Sequence, residues 1–171
     1  MIAVVSALKG EYSTSKVPIL YTGIGKVNSA ITLTNFICNN PNITHYINFG
    51  TAGGIRSNKG ELVECTKFTN GEVAINYNPK IHDNKTINIS DKGGHVVCFD
   101  TFKTDIDTDQ EWDCVDMESY SLASVCKWFN KKFSCYKYIS DKVGEDSQLD
   151  TWEENLNNGS IAFNNVLNKF L

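Results

Sequence analysis

Arginine is almost absent: Arg56 is the only one in 171 residues, and lysine supplies the remaining positive charge. This removes the side chain that most often grips phosphate through a planar fork. A formal net charge of −4 leaves no basic field for nucleic acid or an anionic membrane surface. No apolar run approaches the roughly 20 residues of a membrane-spanning helix. The opening Met1-Ile2-Ala3-Val4-Val5 is short and lacks a basic leader, so it reads as a buried first strand rather than a signal peptide. Six cysteines stand singly with no CxxC pair, several inside apolar runs such as Val96-Val97-Cys98. No disulfide framework, metal or cofactor is expected; reduced core thiols in a cytoplasmic protein are. Repeats, heptads and long linkers are missing too, so residues 1–171 are expected to form a single domain.

What remains is an alternation of short apolar runs with helical patterns, which predicts an α/β fold. Strands are expected at Ile2–Val5, Val17–Tyr21, Tyr46–Phe49, Leu62–Phe68, Glu72–Tyr77, Val96–Phe99, Cys114–Met117 and Ser134–Ile139. A helix follows Gly25 and stops at Asn39-Asn40-Pro41, and a second covers about Ser119 to Phe129. A third closes the chain from about Leu149 and Trp152, with a break possible at Gly159. His82 and Asp83 fall in a polar, turn-rich middle that reads as a surface loop.

Two glycine turns stand out. Thr22-Gly23-Ile24-Gly25-Lys26 lies between a strand and a helix, where it suits either a phosphate cradle or a plain tight turn. The full GxGxxG spacing is missing, because Asn28 stands at the third glycine position. Asn48-Phe49-Gly50-Thr51-Ala52-Gly53-Gly54 ends an apolar strand and would let the backbone pass close to a ligand, or simply turn. Acids also recur at strand ends: Glu11, Asp116, Glu118 and Asp141. One such acid means little, since Asp141 could merely cap a helix after Ser140. Several in one crevice supply a general acid, a general base and an anchor for hydroxyls, which is hydrolase or transferase chemistry on a polar small molecule.

Taken in order, Gly23-Ile24-Gly25-Lys26-Val27, Asn48 to Gly54, Val115-Asp116-Met117-Glu118 and Ile139-Ser140-Asp141 resemble the motif series of the nucleoside phosphorylase/nucleosidase superfamily. They are most similar to its methylthioadenosine/S-adenosylhomocysteine nucleosidases, including the 23-residue step from Glu118 to Asp141. The resemblance implies a twisted, partly barrel-like central mixed sheet flanked by helices, and a homodimer. It implies that Asp141 protonates the departing purine, that Glu11 activates water, and that Met117 and Glu118 hold the ribose. Phe102 would stack on adenine, the backbone at Lys103 would bond the base edge, and Thr51, Gly53 and Ser140 would complete the pocket. Leu8 stands where a methionine is common beside the 5′ thioether. Leu149 or Trp152 would suit a lid over that substituent, or the core. No metal or other cofactor takes part.

The physics agrees with these roles. Cleaving a ribosyl C–N bond passes through an oxocarbenium-like state, and expelling the base is the obstacle. A positioned acid contributes roughly 10²–10⁴-fold, and a carboxylate can stabilise the ribosyl cation. Phosphorylases of this type resemble the pattern with arginines at the position of Asn48 and after the first strand; here the latter region is Ser6-Ala7-Leu8-Lys9-Gly10-Glu11. Water is therefore expected ahead of phosphate, although lysine can bind phosphate as a point charge; the alternatives are a purine nucleoside phosphorylase or other nucleosidase, and a family member that binds nucleoside without cleaving it. The chain departs from the family in two ways. Connections after Glu11 and between Phe102 and Asp116 are short, and Lys137 replaces an arginine near the attacking water.

Overall fold

The β-branched run at the amino terminus forms β1 (Ile2–Ser6), whose alternation sends Ala3 and Val5 into one core and Val4 into another. This is a computed structural model describing residues 1–74, 85–106, 110–145 and 148–171, except the side chains of Ala74 and of residues 148–154. After β1 come β2 (Ile19–Tyr21), α1 (Lys26–Asn39), β3 (His45–Gly54), β4 (Leu62–Asn70), α2 (Gly71–Ala74) and β5 (Thr86–Asn88). Then follow β6 (Gly94–Cys98), β7 (Cys114–Asp116), α3 (Ser119–Trp128), β8 (Lys132–Lys142) and α4 (Gln148–Leu167).

β3, β7, β6, β4 and β8 pair in succession, and β8 returns to β3, so five strands close into a ring. Closure removes open strand edges. β1 and β2 extend the sheet from β3 in parallel, and β5 adds an antiparallel strand to β4. The expected mixed, partly barrel-like α/β architecture is therefore what forms. α1 and α3 press Leu33, Ile37, Leu122 and Cys126 against Ala3, Tyr46 and Phe68. α4 covers the other side, laying Phe163, Val166 and Leu167 over Val4, Ile47 and Phe49.

Three expectations are corrected. Glu72–Tyr77 does not begin as a strand: residues 71–74 make one helical turn, because Glu72 turns aside to accept the Asp100 N–H at 2.7 Å and to pair with Lys26. Residues 75–77, like His82 and Asp83, lie outside the described residues. α4 runs through Gly159 without a break; a Cβ there would lie 3.3 Å from Tyr138 Cβ, so the glycine brings helix and strand together. The glycines 50, 53 and 54 belong to β3 rather than to a turn after it. The side chains of Leu149 and Trp152 lie outside the described residues. Finally, the β3–β8 register slips at one place: Ala52 faces Ile139 but Gly53 faces Asp141, leaving Ser140 as the extra residue of a bulge.

Candidate active site

One edge of β3 takes β1 from His45 to Asn48 and β7 at Gly53 and Gly54. The two neighbours diverge between these points, and a crevice at such a split is where open α/β sheets place ligands. Glu11 reaches into the split. Its Oε1 accepts the Thr51 N–H at 2.9 Å and the Thr51 hydroxyl at 2.8 Å, as a neighbouring strand's carbonyl would. Oε2 accepts the Leu8 N–H at 3.1 Å and the Ser6 hydroxyl at 3.4 Å. The short connector is anchored by the next residue. Tyr12 sets its ring edge-on to Phe49 and Phe163 and donates its hydroxyl to Asn164 Oδ1 at 2.9 Å.

Asp116 ends β7 and reaches the start of α3, accepting the Ser119 N–H at 3.0 Å and the Ser119 hydroxyl at 2.8 Å. It also holds Lys137 Nζ at 2.8 Å, with both side chains at most 2% exposed. Burial works against the Lys137 charge, but Asp116, then Cys135, Glu118 and Glu11, hold its pKa well above the ordinary lysine value. Gly50 makes this possible: a Cβ there would sit 3.0 Å from Lys137 Nζ and 3.5 Å from Glu11 Oε1. The missing side chain admits the protein's own charged groups.

Glu118 follows Met117 at the start of α3, and its Oε1 accepts the Gly25 N–H at 2.8 Å. Gly25 adopts φ 93°, a conformation that favours glycine, so the first glycine turn aims this N–H. Burial and then repulsion from Asp116 push the Glu118 carboxyl up to about 7, against the pull of Lys137 and the Gly25 N–H. Asp141 is 2% exposed and its Oδ1 accepts the Ser140 hydroxyl at 2.6 Å. Gly53 faces it closely, since a Cβ there would lie 3.2 Å from Asp141 Oδ2.

These groups surround a cavity of about 220 Å³. Of the eleven residues expected from the sequence, ten line it: Leu8, Glu11, Thr51, Gly53, Phe102, Lys103, Met117, Glu118, Ser140 and Asp141. Lys137 does not reach the wall; it lies behind it on Asp116. Asp116, read from the sequence as one of the converging acids but given no individual role, also lines the cavity, as does Ile24, which the sequence reading did not single out. An apolar residue between two turn glycines was the available signal for Ile24, which is 48% exposed. Asn48, the position read as choosing water over phosphate, is turned inward. Its Nδ2 donates to Val5 O at 3.0 Å and its Oδ1 accepts from Cys135 Sγ at 3.2 Å. Arg56 pairs with Asp113 at 3.6 Å and is not among the lining residues. Among the described residues no cluster could hold a metal ion, and no helix is long and apolar enough to cross a membrane.

A closed five-stranded ring with flanking helices is also the fold of solved 5′-methylthioadenosine/S-adenosylhomocysteine nucleosidases, and the resemblance carried by the motifs is matched by curated relatives of that name. The chain is 28% identical to the 5′-methylthioadenosine/S-adenosylhomocysteine nucleosidase of Bacillus subtilis, across 82% of this chain and 74% of that protein. It is 27% identical to the same-named nucleosidase of Halalkalibacterium halodurans, across 92% and 81%. Among solved structures, the Neisseria meningitidis nucleosidase in complex with methylthio-immucillin-A superposes with a TM-score of 0.74 at 19% identity, covering 94% of this chain and 93% of that one. Futalosine hydrolase of Helicobacter pylori gives 0.80 at 16%, covering 99% and 97%. No protein-family model matches the chain.

Proposed function

We propose that this chain hydrolyses the N-glycosidic bond of adenine nucleosides, foremost methylthioadenosine and S-adenosylhomocysteine, releasing adenine and the thioribose. The observation that carries this reading is that Glu11, Glu118 and Asp141, from three separate segments, line one cavity that no arginine enters. Phe102 stacks on the adenine and the Lys103 backbone bonds its edge. Met117 and Glu118 hold the ribose, and Leu8 with Ile24 meets the 5′ thioether. Asp141 gives its proton to N7 as the C–N bond breaks, so the base leaves neutral. Water attacks the ribosyl carbon from the Glu11 side and passes its proton to that carboxylate. Glu118, once ionised, stabilises the cation between these events. Lys137 keeps Asp116 and the wall behind the site in place.

Water is favoured over phosphate because the nearby cations are committed elsewhere: Lys137 to Asp116, and Lys103 over the Phe99 ring at 4.6 Å. The whole chain works as one domain in the cytosol, where its free cysteines, five of the six buried, stay reduced. It assembles as a homodimer through Ile24 at the cavity mouth and Val27 and Ile31 on α1, all 48–68% exposed.

The test is to incubate the purified protein with methylthioadenosine, S-adenosylhomocysteine, adenosine, inosine and futalosine, with and without phosphate, and follow free base by chromatography. Gel filtration of the same preparation reads its assembly. Adenine released from the thioethers without phosphate is expected. Strict phosphate dependence would move the chain to phosphorolysis, and no release from any nucleoside would leave a binding protein.

A further inference from the structure

The turn at Gly23–Lys26 has the look of a phosphate cradle, yet its lysine is already engaged by acids. Lys26 Nζ donates to Asn70 Oδ1 at 3.2 Å, pairs with Glu72, and lies 3.4 Å from Asp100 Oδ2. Its side chain is only 12% exposed. Glu72 in turn accepts the Asp100 N–H at 2.7 Å. Three segments distant in sequence are thereby tied at one point: the start of α1, the short α2, and the loop that leaves β6.

That loop carries Thr101, Phe102 and Lys103 into the cavity wall. Its root is fixed by the Phe99 N–H donating to Asp116 O at 3.0 Å and by the Phe99 ring resting against Gly71, where a Cβ would come within 2.3 Å. Beyond Asp100 the loop extends outward, and Phe102 is 46% exposed. Further along, Lys103 lies over the Phe99 ring and Ile106 packs against the Phe99 and Trp112 cluster, so Asp100 is the tie that sets the incoming side of Phe102. Lys26 also adjoins Gly25, whose N–H holds Glu118. We infer that Lys26, with Glu72 and Asp100, is a clasp that positions the Phe102 loop over the base, so that Lys26 governs affinity for the adenine ring. The role rests on the function proposed above. Burial disfavours the charge on Lys26, but Glu72, Cys98 and Asp100 raise its pKa, while Lys26 and the Asp100 N–H lower that of Glu72 against its own burial. Both partners are thus charged throughout the neutral range.

The experiment uses the full chain and Lys26→Met, Lys26→Arg, Glu72→Gln and the Lys26→Met/Glu72→Gln double variant. Adenine binding is read by calorimetry, KM and kcat on methylthioadenosine, and backbone hydrogen exchange across residues 99–106. Lys26→Met should weaken adenine binding and raise KM about tenfold, the scale of losing a charge-assisted contact that orders a loop, with kcat within about twofold. Arginine at that position should recover most of the loss. The double variant should be no worse than Lys26→Met, because the two residues act as one unit. Added salt should raise KM of the parent but not of Lys26→Met, since Glu72 and Asp100 are 41% and 52% exposed. Unchanged exchange in residues 99–106, or a fall in kcat with KM unmoved, would overturn the clasp. Faster exchange in Lys26→Met, with a parent that neither binds nor releases adenine, would support the clasp and refute the proposed substrate instead.

Discussion

Glu118→Gln preserves the shape of the side chain and still accepts the Gly25 N–H, but it removes the ionisation. The folded chain holds this carboxyl at about 7 against an ordinary 4.5, because burial and Asp116 disfavour its charge. In the unfolded chain the proton leaves first as pH rises, so folding weakens across the window from 4.5 to about 7. Below that window both states are protonated and there is no penalty; above it the penalty is complete. The penalty is under about 1 kcal/mol at pH 5 and about 3 kcal/mol at pH 8. Glutamine carries none of it. The variant should therefore exceed the parent by about 3 kcal/mol at pH 8, roughly 6–12 °C in Tm for a chain of this size, and by under ~1 kcal/mol at pH 5. Urea and thermal unfolding at the two pH values measure the difference. The same ionisation should appear in catalysis: kcat/KM of the parent should rise with pH through about 7 as the carboxylate forms, and the glutamine variant should lose most turnover. An equal gain at both pH values, or a less stable variant at pH 8, would refute the reasoning.

Asp141→Asn should keep the fold and bind adenine within a few-fold of the parent, since the amide can still meet the Ser140 hydroxyl. Its turnover should fall by at least about 100-fold; a rate close to the parent's would remove Asp141 from its role. Lys137→Met should be destabilised by about 3–5 kcal/mol, because Asp116 is left as a buried charge with only the Ser119 donors. Denaturant unfolding checks this, and a loss under about 1 kcal/mol would mean that the pair contributes little net stability.

Much of the site was readable because its groups sit where a local pattern ends. An acid after an apolar run falls at a strand end, and an α/β sheet gathers strand ends at one crevice, so Glu11, Glu118 and Asp141 could be chosen from sequence. What escaped was set by neighbours distant in the chain. Gly50 looked like room for a ligand, but its neighbours are Lys137 and Glu11, 87 and 39 positions away. Lys137, in the buried stretch of β8, became legible as an Asp116 partner only once β3, β7 and β8 were seen to share the ring. Glu72 was read as the first residue of a strand, and its ties to Lys26 and Asp100 accompany a helical step instead. The clasp residues therefore look unremarkable one at a time.

The bulge at Ser140 has a consequence for how this chain can change. Neighbouring residues of a regular strand point to opposite sides, yet Ser140 and Asp141 both open on the cavity. The single unpaired residue is what puts the β8 ladder out of phase. Connectors such as the one after Glu11 can gain or lose residues while the strand ends stay where they are. Deleting Ser140 would instead restore a regular ladder and remove the hydroxyl that Asp141 Oδ1 accepts. At this point of the molecule the number of residues in the strand, and not only their identity, decides which side chains open on the cavity.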